Sequence, residues 1–181
     1  MRHLFLIRHC QSTGEQPDGD LTDKGRAQAE ALVPRLKALA PDALFSSPYR
    51  RAVGTIAPYG AAAGMDIATD DRLKERLLKP VGVVMPDWKD HIKRSFEDRG
   101  YRLAGGESLN QTAERAFGAL QRIMAAGWQR PAVAAHGNLI ASVLGQMDAG
   151  FGFARWQEMA NPHVYRLGFE GGRFMAFEDL G

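Results

Sequence analysis

The chain has one cysteine, so no internal disulfide framework can form, and a reducing compartment is the expected setting. Its longest apolar runs are far too short to cross a bilayer as a helix. No opening pattern of charged, apolar and small residues marks a secretion signal. A soluble, cytoplasmic protein is expected. Basic residues do not form runs or interleave with aromatics, and the formal net charge is only +2, so neither nucleic acid nor an anionic membrane is an expected partner. HExxH, CxxC and paired-histidine spacings are missing, which leaves no metal centre to propose from the five scattered histidines. GxxxxGK[ST] and GxSxG are missing too. No repeats, low-complexity tracts or Ser/Gly linkers interrupt the 181 residues, which suit one domain with a real core.

What is present is an alternation of short apolar runs and helical periodicity. Leu4-Phe5-Leu6-Ile7 fits a buried strand and ends abruptly in Arg8-His9. A Gly-, Pro- and Asp-rich loop, 14–20, follows. Thr22 then caps a helix to about Leu39, with Ala29, Leu32, Val33, Leu36 and Leu39 on one face and Pro34 inside it. A second strand, Ala43 to Ser47, leads into a helix expected to begin at Pro48 with Ser47 as its cap. A third strand is expected around Ile67 within Met65 to Leu73, ending near Glu75. Trp88, Ile92 and Phe96 recur at helical spacing in the otherwise poorly patterned stretch 76–105. Ser108 and Gln111 form a capping box, opening a helix that carries Leu109, Ala113, Ala116, Phe117, Leu120, Ile123 and Met124 on one face. Pro131 to Ala135 is a further buried strand running into His136, with a helix from Leu139 to about Met147. His163 to Phe177 alternates around Glu170-Gly171-Gly172 like an antiparallel hairpin.

Strand and helix in alternation predict an α/β fold of three α/β/α layers on a mostly parallel sheet. In such sheets ligands sit beyond the carboxyl ends of the strands. That is where Arg8-His9, Arg50-Arg51 and His136 fall, with Glu75 as an accompanying carboxylate. The set is suited to an anion, since arginine presents a planar fork of donors to phosphate or carboxylate oxygens.

At these residues the chain resembles a known family. Ile7-Arg8-His9-Cys10-Gln11-Ser12 is similar to the Arg-His-Gly signature of the histidine phosphatase superfamily, also called the phosphoglycerate mutase-like family. Leu21-Thr22-Asp23-Lys24-Gly25-Arg26-Ala27-Gln28-Ala29, Ser46-Ser47-Pro48-Tyr49-Arg50-Arg51-Ala52, Gly105-Gly106-Glu107-Ser108 and Ala135-His136-Gly137 resemble its further motifs, in the family's order. The resemblance implies a phosphoglycerate mutase-like fold and a phosphatase of small phosphate esters that needs no cofactor. His9 would be the phosphorylated nucleophile, Arg8 and Arg51 the phosphate clamp, and His136 a further phosphate ligand. Glu75 would be the general acid and then the base, with Asp71, Glu107 and Glu15 the other carboxylates nearby in sequence. The family arginine directly precedes alanine, which selects Arg51 over Arg50. The stretch 76–104 would be a substrate-specificity insertion within the single domain 1–181.

Two departures bear on this reading. Cys10 stands where the family has glycine, so its side chain either turns away from the pocket or faces the arginines with a lowered thiol pKa. Glu15 stands where the mutases carry asparagine, and it would repel phosphate unless it points away or its loop differs. Glu15, with the short stretch between Glu75 and Gly105, favours a phosphatase over a mutase. A phosphohistidine protein phosphatase and a catalytically silent phosphoester-binding protein are the remaining alternatives. The substrate and the oligomeric state are not legible.

Overall fold

A computed structural model describes residues 1–80 and 83–181. Six strands form one sheet: β1 (Arg2–Arg8), β2 (Leu44–Ser46), β3 (Ile67–Thr69), β4 (Ala132–Ala135), β5 (His163–Glu170) and β6 (Arg173–Asp179), in the order β3-β2-β4-β1-β5-β6. The ladders joining β3, β2, β4 and β1 are parallel, and β5 and β6 add antiparallel. The helices are α1 (Asp23–Leu39), α2 (Arg50–Ala63), α3 (Trp88–Glu97), α4 (Leu109–Ala125), α5 (Gly137–Met147) and α6 (Phe153–Glu158).

The two-residue period of the strands divides the core. On β1, Leu4 and Leu6 pack with α4 and α5 on one face, while Phe5 and Ile7 pack with α1 and α2 on the other. Val133 and Ala135 of β4 join the first cluster, Ala132 and Ala134 the second. Both strands are therefore covered on both faces, as their unbroken apolar runs require. The result is the three-layer α/β/α architecture. Because β2, β4 and β1 are parallel neighbours, their carboxyl ends bring Ser47, His136 and His9 to one edge of the sheet.

Local chemistry sets several boundaries. Thr22 accepts from the Gly25 amide and caps α1. Gly25 itself is required, because a Cβ there would lie 1.9 Å from the Gln11 carbonyl oxygen. This closeness lets the first turn of α1 pack on the loop that leaves β1. The Ser108–Gln111 capping box is formed, with both reciprocal bonds present.

Three expectations need correction. The second helix does not begin at Pro48 under a Ser47 cap. It begins at Arg50, with Tyr49 as N-cap and no side-chain cap bond, while the Ser47 hydroxyl meets His136 Nε2 and accepts from the Tyr49 amide one turn earlier. The third strand stops at Thr69, where the Asp70 carboxylate accepts from the Arg72 amide and caps a 3-10 turn, Asp71–Leu73. Helix α6 is too short to show helical periodicity in the sequence and buries none of its residues, so no helix is expected there. The stretch 76–104 contributes α3, with Ile92 buried and Trp88 36% exposed beside Trp156. Its residues 81 and 82 lie outside the described residues. No helix among the described residues is long and apolar enough to cross a membrane.

Candidate active site

His9 leaves the end of β1 with its Nδ1 2.7 Å from the Cys10 carbonyl oxygen. A carbonyl only accepts, so Nδ1 carries the proton and Nε2 keeps its lone pair. The ring is neutral over a wide range. Burial pushes its pKa down to about 4, against the Cys10 bond, and the charges of Arg51 and Arg8 push the same way. The arginines therefore do disfavour an imidazolium, although burial is the larger cause.

His136 faces His9 edge-on, the ring centroids 5.2 Å apart. It is wholly buried, and burial first, then His9 and the arginines, hold its pKa well below the ordinary value. Its Nε2 meets the Ser47 hydroxyl at 2.8 Å, while Nδ1 has no partner among the described residues. Tyr49 packs edge-on against the same imidazole at 5.1 Å.

Two guanidinium groups flank the histidines. Arg51 is only 2% exposed, lies over the Tyr49 ring and donates from Nη1 to the Gln16 carbonyl at 2.7 Å. Arg8 donates from Nη1 to the carbonyls of Met159 and Ala160, and its buried Nε has no partner among the described residues. Gly137 lets this side chain approach, since a Cβ there would lie 3.3 Å from Arg8 Nε. Burial lowers both arginine pKa values against the attraction of Glu75, whose carboxylate is within electrostatic reach of both.

Glu75 sits against the first turn of α5. Its Oε1 accepts from the amides of Arg76 at 2.8 Å and Leu139 at 3.0 Å, and Oε2 accepts from the Asn138 amide at 3.2 Å. The N-terminus of α5 thus orients this carboxylate. The backbone of Glu75 is held separately. Arg115 pairs with Glu107 at 2.7 and 2.8 Å, and donates to the carbonyls of Arg72, Lys74 and Glu75 at 2.7, 2.8 and 3.2 Å. Arg76, nearly buried, donates to the Glu107 carbonyl and the Ser95 hydroxyl, tying this loop to α3.

The five residues singled out from sequence, Arg8, His9, Arg51, Glu75 and His136, therefore come together. Arg50 is exposed and apart from them. The Cys10 side chain is fully buried in a cluster with Leu21 and Ala29, and burial pushes its thiol up to about 11. The alternative of a lowered thiol pKa facing the arginines is excluded. Glu15 is exposed in the loop after β1, yet its charge is felt by Arg51. Ser47 is expected at the site only as the cap of a helix N-terminus that offers amides to phosphate, not as the partner of His136, and Tyr49, Arg115, Asn138 and the Met159–Ala160 carbonyls are not expected there. Only Ser47 and Tyr49 carried a signal, as neighbours of Arg51 in one motif.

This arrangement can receive a tetrahedral dianion between two arginines, two neutral imidazoles and a carboxylate. Among the described residues no group of three or more His, Cys, Asp or Glu is placed to hold a metal ion. Comparison with known proteins agrees with the chemistry. Residues 4–178 match the model of the histidine phosphatase superfamily (branch 1). The chain is 30% identical to a glucosyl-3-phosphoglycerate phosphatase of Mycolicibacterium vanbaalenii, over 99% of this chain and 91% of that one. It is 27% identical to a probable phosphoglycerate mutase of Cronobacter sakazakii, over 80% of this chain and 76% of that one. Among solved structures, a mycobacterial glucosyl-3-phosphoglycerate phosphatase in complex with inorganic phosphate superposes with a TM-score of 0.81 at 26% identity, covering 99% and 95% of the two chains. With its sheet order, its paired histidines and this match along nearly the whole length, the chain belongs to the histidine phosphatase superfamily, branch 1.

Proposed function

We propose that this protein hydrolyses small phosphate monoesters in two steps, through a phosphohistidine on His9. The observation that carries the reading is a neutral His9 whose Nδ1 is tied down while Nε2 is left with its lone pair, together with a buried donor on Arg8 and a buried ring nitrogen on His136 that have no partner among the described residues. A buried donor without a partner is costly, and a phosphoryl group would supply the acceptor that Arg8 Nε lacks.

In the first step His9 Nε2 attacks phosphorus in line, the bond to the ester oxygen breaks, and the leaving alkoxide takes a proton from Glu75. Glu75 Oε2 suits this proton, since Oε1 holds the shorter amide bonds while Oε2 has only Asn138 at 3.2 and 3.5 Å. Arg8, Arg51 and His136 offset the charge on the equatorial oxygens. In the second step Glu75 takes a proton from water, the oxygen attacks phosphorus, and the bond to His9 breaks to release phosphate.

The substrate class is a phosphorylated metabolite, in line with the relatives' names. The stretch 76–104 acts as the specificity insertion, supported by the exposed Trp88 on α3 and by the link from Arg76 to Ser95. A cytoplasmic location fits the single buried thiol. The probable mutase among the relatives raises phosphoryl transfer as a second reading, and the acidic Glu15 beside Arg51 speaks against a second phosphate there.

Release of phosphate from 4-nitrophenyl phosphate by the wild-type protein, an acid-labile phosphoryl label on the quenched enzyme, and loss of both in His9→Ala are the expected results. No hydrolysis by the wild type overturns the reading. Conversion of 3-phosphoglycerate to 2-phosphoglycerate without phosphate release would establish the mutase instead.

A further inference from the structure

Among the described residues, Arg8 is aimed by main-chain carbonyls alone. Its Nη1 donates to Met159 and Ala160, which lie in the segment between α6 and β5. A phosphate clamp built on a loop needs something to hold the loop. The Ala160 amide donates to Nδ1 of His163 at 3.2 Å. On the opposite side of the ring, Nε2 lies 2.6 Å from Oδ1 of Asp179 on β6. His163 is itself the cross-strand partner of Arg8 in the antiparallel ladder of β1 and β5. Its ring is 9% exposed and stacks on Tyr165 at 4.6 Å, and the Asp179 carboxylate also accepts from the Gly181 amide at 2.9 Å.

This geometry fixes a tautomer. An amide donor at Nδ1 requires a lone pair there, so the ring proton sits on Nε2, where the carboxylate accepts it. We propose that His163, locked in its Nε2–H form by Asp179, is a positioning residue that sets the Met159–Ala160 carbonyls and through them the Arg8 guanidinium. The inference rests on the phosphate-site reading of Arg8. His163 touches neither phosphate nor water in it. Asn161 strengthens the same segment, donating from Nδ2 to the His9 carbonyl at 2.6 Å.

Two substitutions separate the halves of the ring. His163→Asn places an acceptor near the Nδ1 position and drops the reach to Asp179. His163→Gln reaches Asp179 but leaves the Ala160 amide without its acceptor. With 4-nitrophenyl phosphate as substrate and inorganic phosphate as inhibitor, His163→Gln and His163→Ala are expected to lose about 10- to 100-fold in kcat/KM and to bind phosphate more weakly. His163→Asn is expected to stay within about threefold of wild type. In an Arg8→Ala background none of the three should cost anything further.

A role confined to pinning the hairpin would do the reverse, making His163→Asn the impaired variant and adding its loss equally with or without Arg8. Either outcome overturns the proposal. The imidazole nitrogen spectrum provides a readout independent of turnover, with protonated Nε2 and unprotonated Nδ1 expected at His163 and the other tautomer fatal. Should the wild-type protein neither hydrolyse nor bind phosphate, the phosphatase reading falls, and the spectrum still decides the tautomer.

Discussion

The Ser47 hydroxyl oxygen lies 2.8 Å from Nε2 of His136, and it also accepts from the Tyr49 amide at 3.3 Å. The hydroxyl keeps a second lone pair and its own proton, so it can either accept from Nε2 or donate to it. When it donates, the His136 proton rests on Nδ1, a buried atom without a partner among the described residues. In that arrangement a serine at the end of β2 leaves the neutral His136 with an unpaired donor at Nδ1.

Ser47→Ala should therefore do two things. It leaves a buried imidazole nitrogen unsatisfied, costing about 1–3 kcal/mol of stability. It also frees the tautomer, so KM and the inhibition constant for inorganic phosphate should rise. Ser47→Thr, which keeps the hydroxyl, should hold phosphate affinity near wild type. Urea unfolding and phosphate inhibition measure the two effects separately, and unchanged phosphate affinity in Ser47→Ala would refute the tautomer argument.

Cys10→Gly tests the departure from the family signature. The thiol packs against Leu21 and Ala29 and its amide donates to the Thr55 hydroxyl at 2.8 Å. Replacing it removes a buried side chain and adds backbone freedom, for a loss of about 1–2 kcal/mol. Turnover should change by less than about twofold, since the side chain faces away from the histidines. With the thiol buried and its pKa raised to about 11, alkylation by iodoacetamide should require unfolding. A large gain in turnover in the glycine variant would show that the thiol crowds the site after all.

The parts of the site legible in the sequence were those that follow directly from strand ends. Arg8, His9 and His136 stand immediately after apolar runs, so the strand pattern alone placed them at one edge. Glu75 was placed with them by its position after the third strand, but its role, and the choice of Arg51 over Arg50, needed the family resemblance. The frame around them was not legible, because it works through backbone groups and through side-chain partners that no sequence pattern marks. Arg115 reaches Arg72 and Lys74, and His163 reaches Ala160 and Asp179, with no short motif to announce either. The contact of Ser47 with His136 was equally hidden, because its partner lies 89 residues away.

Arg115 should act on proton transfer more than on binding. It holds the carbonyls of Arg72, Lys74 and Glu75 while its other face forms the paired contact with Glu107. Arg115→Ala is expected to lower kcat about tenfold or more with little change in KM, because Glu75 loses its fixed backbone. Lysine cannot reproduce the fork and should not rescue. The loss should be greatest for alkyl phosphates and least for 4-nitrophenyl phosphate, whose leaving group needs no proton. Equal losses on both substrates would mean that Arg115 supports the fold rather than the acid.

Proton binding to His9 gives the sharpest prediction. Burial, with the charges of Arg51 and Arg8, lowers its pKa from 6.5 to about 4, against the Cys10 carbonyl bond. Between those two values the unfolded chain takes up a proton that the native protein refuses. Native stability therefore falls as pH drops through that window, by at most about 1.4 kcal/mol per pH unit from this one group, and the loss is complete below about 4. His136 shifts in the same direction and adds to it. In His9→Ala the urea-derived stability should consequently decline less steeply from pH 6.5 to 4 than in wild type. The His9 ring resonances should titrate near 4, and Arg51→Gln should move that midpoint upward. A midpoint near 6.5 in the folded protein would mean that His9 is solvated rather than buried and that its neutrality does not come from the site.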